Sequence, residues 1–218
     1  MNMVEVKDFA LLFDLDGVIF ASENYYTDFW TMEAKKYLPN ERGFAQEIKG
    51  HGLNDIFAKY FFDQPQIQQD IIKDLKQVES NMNFNYVDGV EDFLNFIQKE
   101  NYTRCLVTSS MDEKMENVYK KRPQMQEFFP LVVTANQIRH SKPAPDCYSR
   151  ASKLCNIAPN RCIVFEDSLA GLESAKTAGM KIVALSTTYS KEELKDKADM
   201  IIADFSKINI SEILRLLE

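Results

Sequence analysis

The sequence predicts an α/β protein: a mainly parallel sheet covered by helices on both faces, with a run of helices inserted after the first strand. Three observations predict it. Short apolar runs at 10–13, 103–108, 128–134, 161–165, 181–185 and 200–203 have the length of buried strands. Helical patterns separate the later runs, and strand, helix, strand in repetition specifies a parallel sheet. Between the first run and about residue 82 the pattern is helical throughout, with no strand signal.

Taken in order, the first strand ends in Asp14, Leu15, Asp16 and Gly17, so two carboxylates meet at its C-terminal end where the backbone turns. Asp and Gly also form ordinary turns, and the pair alone is weak evidence of a site. Tyr25, Tyr26, Phe29, Trp30, Glu33 and Tyr37 then keep a spacing of three to four, with Glu33 the polar exception, and Pro39-Asn40 stops that helix. Phe44 and Ile48 mark a second helix, and Leu53, Ile56, Phe57, Tyr60 and Phe61 a third. Pro65 opens a fourth, with Ile67, Ile71, Leu75 and Val78 inward. Asp88-Gly-Val-Glu91 reads as a capping box for a helix to about Lys99, with Asp88 as its N-cap. A polar helix covers 112–121, another follows Lys142-Pro-Ala-Pro145, and the one carrying Ala170, Gly171 and Ala175 stops at Gly179. A closing helix covers 210–217. Neither repeats nor low-complexity segments interrupt the pattern.

The 218 residues are 45% hydrophobic, enough for a sizeable core, and the formal net charge of -7 argues against a nucleic-acid partner. The one basic cluster, Lys120-Lys121-Arg122, reads as a solvated helix end. Cys105, Cys147, Cys155 and Cys162 contain no Cys-x-x-Cys pair. Free thiols, no signal peptide and no stretch of transmembrane length predict a cytoplasmic protein without membrane contact.

Right-handed crossovers place every strand's C-terminal end on one edge of such a sheet. That edge collects Asp14 and Asp16, Thr108 and Ser109, Lys142 from its Pro-rich loop, and Glu166 with Asp167. Carboxylates so crowded repel one another, and Asp14 and Asp167, with a backbone carbonyl near Asp16, suit a magnesium ion. Thr108 and Lys142 cannot serve a cation; they point to an anion beside it. Cation and anion together are what phosphoryl transfer requires.

In order and spacing, Phe-Asp14-Leu-Asp16-Gly-Val, Val-Thr108-Ser-Ser, Ser-Lys142-Pro-Ala-Pro-Asp and Phe-Glu166-Asp167-Ser-Leu-Ala-Gly resemble the motifs of the haloacid dehalogenase-like superfamily. The wording is most similar to its β-phosphoglucomutase-like phosphatases. The resemblance implies a Rossmann-like core at 1–19 and 84–218 and a four-helix cap at 20–83. It implies a monomeric Mg2+-dependent phosphatase acting on a small phosphate monoester, a sugar phosphate or similar. Asp14 would be the nucleophile, ionised at neutral pH like an ordinary aspartate. Asp16 would be the acid/base, its proton held by neighbouring carboxylates or burial. Thr108, Ser109 and Lys142 would bind phosphate. Asp14, Asp16 and Asp167 would bind metal, with Glu166 a ligand, a water-mediated partner or a support behind the ligands. Tyr26 and Leu53 fall where a β-phosphoglucomutase has a histidine and a phosphate-gripping arginine, which favours hydrolysis over the alternative, a phosphosugar mutase. His51 and Lys49 lie on a glycine-flanked cap turn expected near substrate, although a lone histidine there also suits solvent. A phospho-receiver switch or a non-catalytic binding domain is the remote alternative.

Overall fold

A computed structural model describes residues 8–218. Its first strand, β1 (Ala10–Phe13), is wholly buried and leads into four helices, α1 (Glu23–Tyr37), α2 (Phe44–Glu47), α3 (Leu53–Tyr60) and α4 (Pro65–Asn81). Strands and helices then alternate. These are α5 (Val90–Lys99), β2 (Thr103–Val107), α6 (Asp112–Lys121), α7 (Met125–Phe128), β3 (Leu131–Val133), α8 (Asp146–Cys155) and β4 (Cys162–Glu166). The chain ends with α9 (Leu169–Thr177), β5 (Lys181–Leu185), α10 (Lys191–Leu194), β6 (Met200–Ile202) and α11 (Ile210–Leu214).

The six strands form one parallel sheet in the order β3-β2-β1-β4-β5-β6. Phe13 is level with Leu106 on one side and Phe165 on the other, so the strands end together. The order reverses at β1, and the crevice beyond such a reversal is where open α/β sheets bind ligands. Successive residues of β1 serve opposite faces. Leu11 and Phe13 join an aromatic core in which Phe13 stacks on Phe165 at 4.6 Å, backed by Phe93 and Phe205. Ala10 and Leu12 join the other core, under Tyr148 and Leu172. The nucleophile candidate thus stands at the end of a strand clamped on four sides.

Helices α1 to α4 are the inserted cap and bury a core of their own, built on Phe29, Trp30, Phe44, Ile56, Phe57, Phe61 and Ile71. Phe44 meets Trp30 and Tyr60 edge to face, at 5.8 and 4.8 Å. Glu33 is buried among them, 4% exposed, with Oε2 lacking a hydrogen-bond partner and Oε1 3.9 Å from Lys36 Nζ. Burial pushes its carboxyl above the usual range.

Two expectations need correction, and a third gains a role. Asp88 does not cap α5: the N-cap is Gly89, at φ 76, with no side-chain hydrogen bond. A Cβ there would collide with the Phe205-Ser206 backbone, so the loop's close approach decides the residue. The third strand is shorter than 128–134, because Phe128 closes α7 and Phe129 turns into the core. The helix end at 120–122 is solvent-facing as expected, with Lys120 and Lys121 exposed and Arg122 half-buried, but two of its side chains also bind backbone. Lys121 Nζ donates to the carbonyls of Ser80 and Met82, both at 2.7 Å, and Arg122 Nε to that of Phe84 at 3.0 Å. They grip the return linker from cap to core, where Phe84 takes a left-handed φ of 48.

Candidate active site

The rim above β1 gathers the predicted polar residues. Asp14 donates its N–H to the Phe165 carbonyl at 3.0 Å, which ties the turn to β4. Gly17 follows at φ 75, and a Cβ there would run into the Asp167 carboxylate. Glycine is needed both for the turn and for the approach of the two carboxylate-bearing loops. Thr187 Oγ1 closes the turn from β5, donating to the Gly17 carbonyl at 2.6 Å.

Lys142 is 2% exposed and sits 2.5 Å from both Asp14 Oδ1 and Glu166 Oε1. Burial works against its charge, but Asp14 and Glu166 outweigh it and hold the ammonium well above the usual lysine range. Glu166 has both oxygens engaged. Oε1 also accepts from Tyr148 Oη at 3.1 Å, and Oε2 accepts from the backbone amides of Asp167 and Ser168, both at 2.8 Å. Thr108 is buried, and its Oγ1 accepts from the Ser110 amide at 3.0 Å; Ser109 and Ser110 line the cavity above.

Asp14 is not an ordinary aspartate. Burial pushes its carboxyl up to about 7 against the pull of Lys142, with the charges of Glu166 and Asp16 adding to the rise. Asp167 stands well above the carboxylate range, through burial first and then Glu166, Glu23 and Asp14; a hydrogen bond from the Thr188 hydroxyl offsets this in part. Among the described residues no three His, Cys, Asp or Glu side chains make a ready metal cage. Magnesium needs none, since it takes one or two carboxylates and keeps several waters. Two buried carboxylates whose ionisation is opposed are a donor set that a hard divalent cation fits.

The surroundings of Asp16 differ from the expectation of carboxylates or apolar burial alone. Ser22 Oγ donates to Oδ1 at 2.5 Å and Ser110 Oγ to Oδ2 at 3.3 Å, while the buried Lys114 pairs with Oδ2. Sequence reasoning missed Lys114, which α6 presents on the same side as the buried Val118, one turn on. It also missed Ser22, Tyr148 and Thr188.

The cap closes over this rim. Cβ atoms at Gly50 and Gly52 would collide with Ser168 and Ser141, so the cap turn rests on the loops that carry Asp167 and Lys142. A cavity of about 160 Å3 lies beneath, and both cap candidates line it. Tyr26 donates its hydroxyl to Glu79 Oε1 at 3.1 Å and lies under Lys114 Nζ, 4.7 Å from the ring centroid. His51 is exposed, with Nδ1 3.3 Å from the Lys49 carbonyl. No helix among the described residues is long and apolar enough to cross a membrane.

Known proteins resemble this chain in sequence and in fold. A relative, validoxylamine A 7'-phosphate phosphatase of Streptomyces hygroscopicus subsp. limoneus, is 27% identical over 205 residues, covering 90% of this chain and 94% of its own. A family IA, variant 3 hydrolase from Entamoeba histolytica has the same fold, with a TM-score of 0.82 at 23% identity over 96% of this chain and 99% of its own. So does β-phosphoglucomutase from Clostridium difficile, at 0.80 and 20% over 97% of each chain. The haloacid dehalogenase-like hydrolase family model matches residues 11–185. The match spans most of the chain, which belongs to the haloacid dehalogenase-like hydrolases and is a phosphohydrolase of that family.

Proposed function

We propose that the protein is a magnesium-dependent phosphatase that hydrolyses a small phosphate monoester through an aspartyl-phosphate on Asp14. The observation that carries the reading is Lys142 held between Asp14 and Glu166 at the floor of a roofed cavity. An ammonium so placed neutralises both the nucleophile and the incoming phosphoryl oxygens. Asp14 Oδ attacks phosphorus as the ester oxygen leaves with a proton from Asp16. Asp16, now a carboxylate beside Lys114, takes a proton from the water that splits the aspartyl-phosphate, releasing phosphate and regenerating Asp14. Ser109 and Thr108 hold phosphate oxygens, and Glu166 keeps Lys142 in place. Asp14, Asp167 and the Asp16 carbonyl would hold magnesium, which supplies positive charge against the phosphate. Hydrolysis is favoured over a mutase because Leu53 lines the cavity at the position expected of a second phosphate-gripping group.

Paired variants test the roles. Asp14→Asn is expected to abolish turnover of every ester, because an amide cannot form the intermediate. Asp16→Asn is expected to give a burst with p-nitrophenyl phosphate, which needs little leaving-group protonation, and then to turn over about 10²–10⁴-fold more slowly. Rapid quench with mass spectrometry should find the phosphate on Asp14. Wild-type rates in Asp14→Asn would remove the nucleophile, and wild-type rates in Asp16→Asn would remove the acid/base.

A further inference from the structure

The distal wall of the cavity says what kind of alcohol the phosphate is attached to. Six side chains there are hydrocarbon or aromatic: Trp30, Ile48, Leu53, Ile56, Ile72 and Leu75. The four lysines that also line the cavity each face a carboxylate. Lys142 has Asp14 at 2.5 Å, Lys49 has Glu23 at 3.6 Å, Lys76 has Glu113 at 3.4 Å, and Lys114 has Asp16. The Tyr26 hydroxyl is already committed to Glu79 at 3.1 Å.

These pairings have two consequences. A second anionic group on the substrate would have to compete with a carboxylate at each of the three lysines beyond Lys142. Sugar hydroxyls pressed against these six side chains would leave water without new partners there, which disfavours a polyol relative to a hydrocarbon of the same shape.

Resting on the phosphatase reading above, we propose that the preferred substrate is the monophosphate ester of a hydroxyl-poor alcohol. Polyhydroxylated sugar phosphates and bisphosphates are disfavoured.

A matched pair tests this without confusing it with leaving-group chemistry. Cyclohexylmethyl phosphate and glucose 6-phosphate are both primary alkyl monoesters on a six-membered ring, and they differ in the hydroxyls. The purified full-length chain with magnesium is expected to give a kcat/KM at least about tenfold higher for cyclohexylmethyl phosphate, the low end of what a methylene-sized difference yields in an apolar pocket. Glucose 1,6-bisphosphate should be no better than glucose 6-phosphate. Leu53→Ser should lower the cyclohexylmethyl to glucose ratio, with a thermal melt to confirm folding. Acetyl phosphate, tested with and without Asp14→Asn, is the separate control. If it is not hydrolysed in an Asp14-dependent way, the phosphatase reading fails. If it is, and glucose 6-phosphate or the bisphosphate equals or exceeds cyclohexylmethyl phosphate in wild type, the substrate proposal alone is overturned.

Discussion

Glu33 shows how one residue departs from the pattern around it. It occupies an apolar position of α1, loses its water, and gains only Lys36 at 3.9 Å in return. Burial raises its carboxyl in the folded state, so the cost of ionising it is present at pH above the folded value and absent below the unfolded value near 4.3. Glu33→Leu is expected to stabilise the protein by about 1 kcal/mol at pH 8, or about 2–4 °C in melting temperature. The gain should shrink at pH 4, where both states hold the proton; melts at the two pH values check it. The candidate site residues were legible because each motif pairs a strand end with an unusual side chain. Asp14, Thr108, Lys142 and Asp167 all lie at the predicted rim. Lys114 was not legible, since a lysine in a polar helix looks the same whether it faces solvent or a carboxylate. Neither was the raised carboxyl of Asp14, which follows from burial that spacing does not reveal.

The elements divide in a similar way. β1 and α6 lie where periodicity puts them, at Ala10–Phe13 and Asp112–Lys121, because their apolar spacing matches the surfaces they cover. α7 and the start of α5 escaped, since contacts from distant loops decide them: Phe128 into the sheet's core, and Phe205-Ser206 against Gly89. The end of α6 matters most for the cap. Arg122 holds the linker carbonyls of Phe84 and Asn83 and lies 5.3 Å from the centre of the Tyr86 ring. Both groups are near solvent, so Arg122→Ala is expected to cost only about 1 kcal/mol of stability. Its larger effect should fall on the linker, which ought to exchange amide hydrogens faster over residues 82–87 while the sheet stays protected. Equal protection in the variant would show that the grip is not what orders the linker.

For the whole molecule, the site holds stability and charge in opposition. Asp14 and Asp167 are both raised in the folded state, Asp14 to about 7, whereas an unfolded aspartate ionises near 3.9. The folded protein therefore binds protons more tightly than the unfolded chain, and stability is expected to fall as pH rises from about 4 to 7. Magnesium should reverse this by pairing with the ionised forms. Its addition is expected to raise the melting temperature more at pH 8 than at pH 5, and Asp14→Asn should blunt the rise. An equal shift at both pH values would place the ion elsewhere. The central position of β1 also bears on how the protein is made. Ala10 pairs with Thr103 on one side and Cys162 on the other. As the chain leaves the ribosome, this apolar strand emerges before both neighbours and waits, its edges open, for strands translated much later. Until β4 arrives β1 keeps an open edge, and Glu166 and Asp167 are missing from the rim, so a nascent chain stalled before that point is both prone to aggregate and chemically inert.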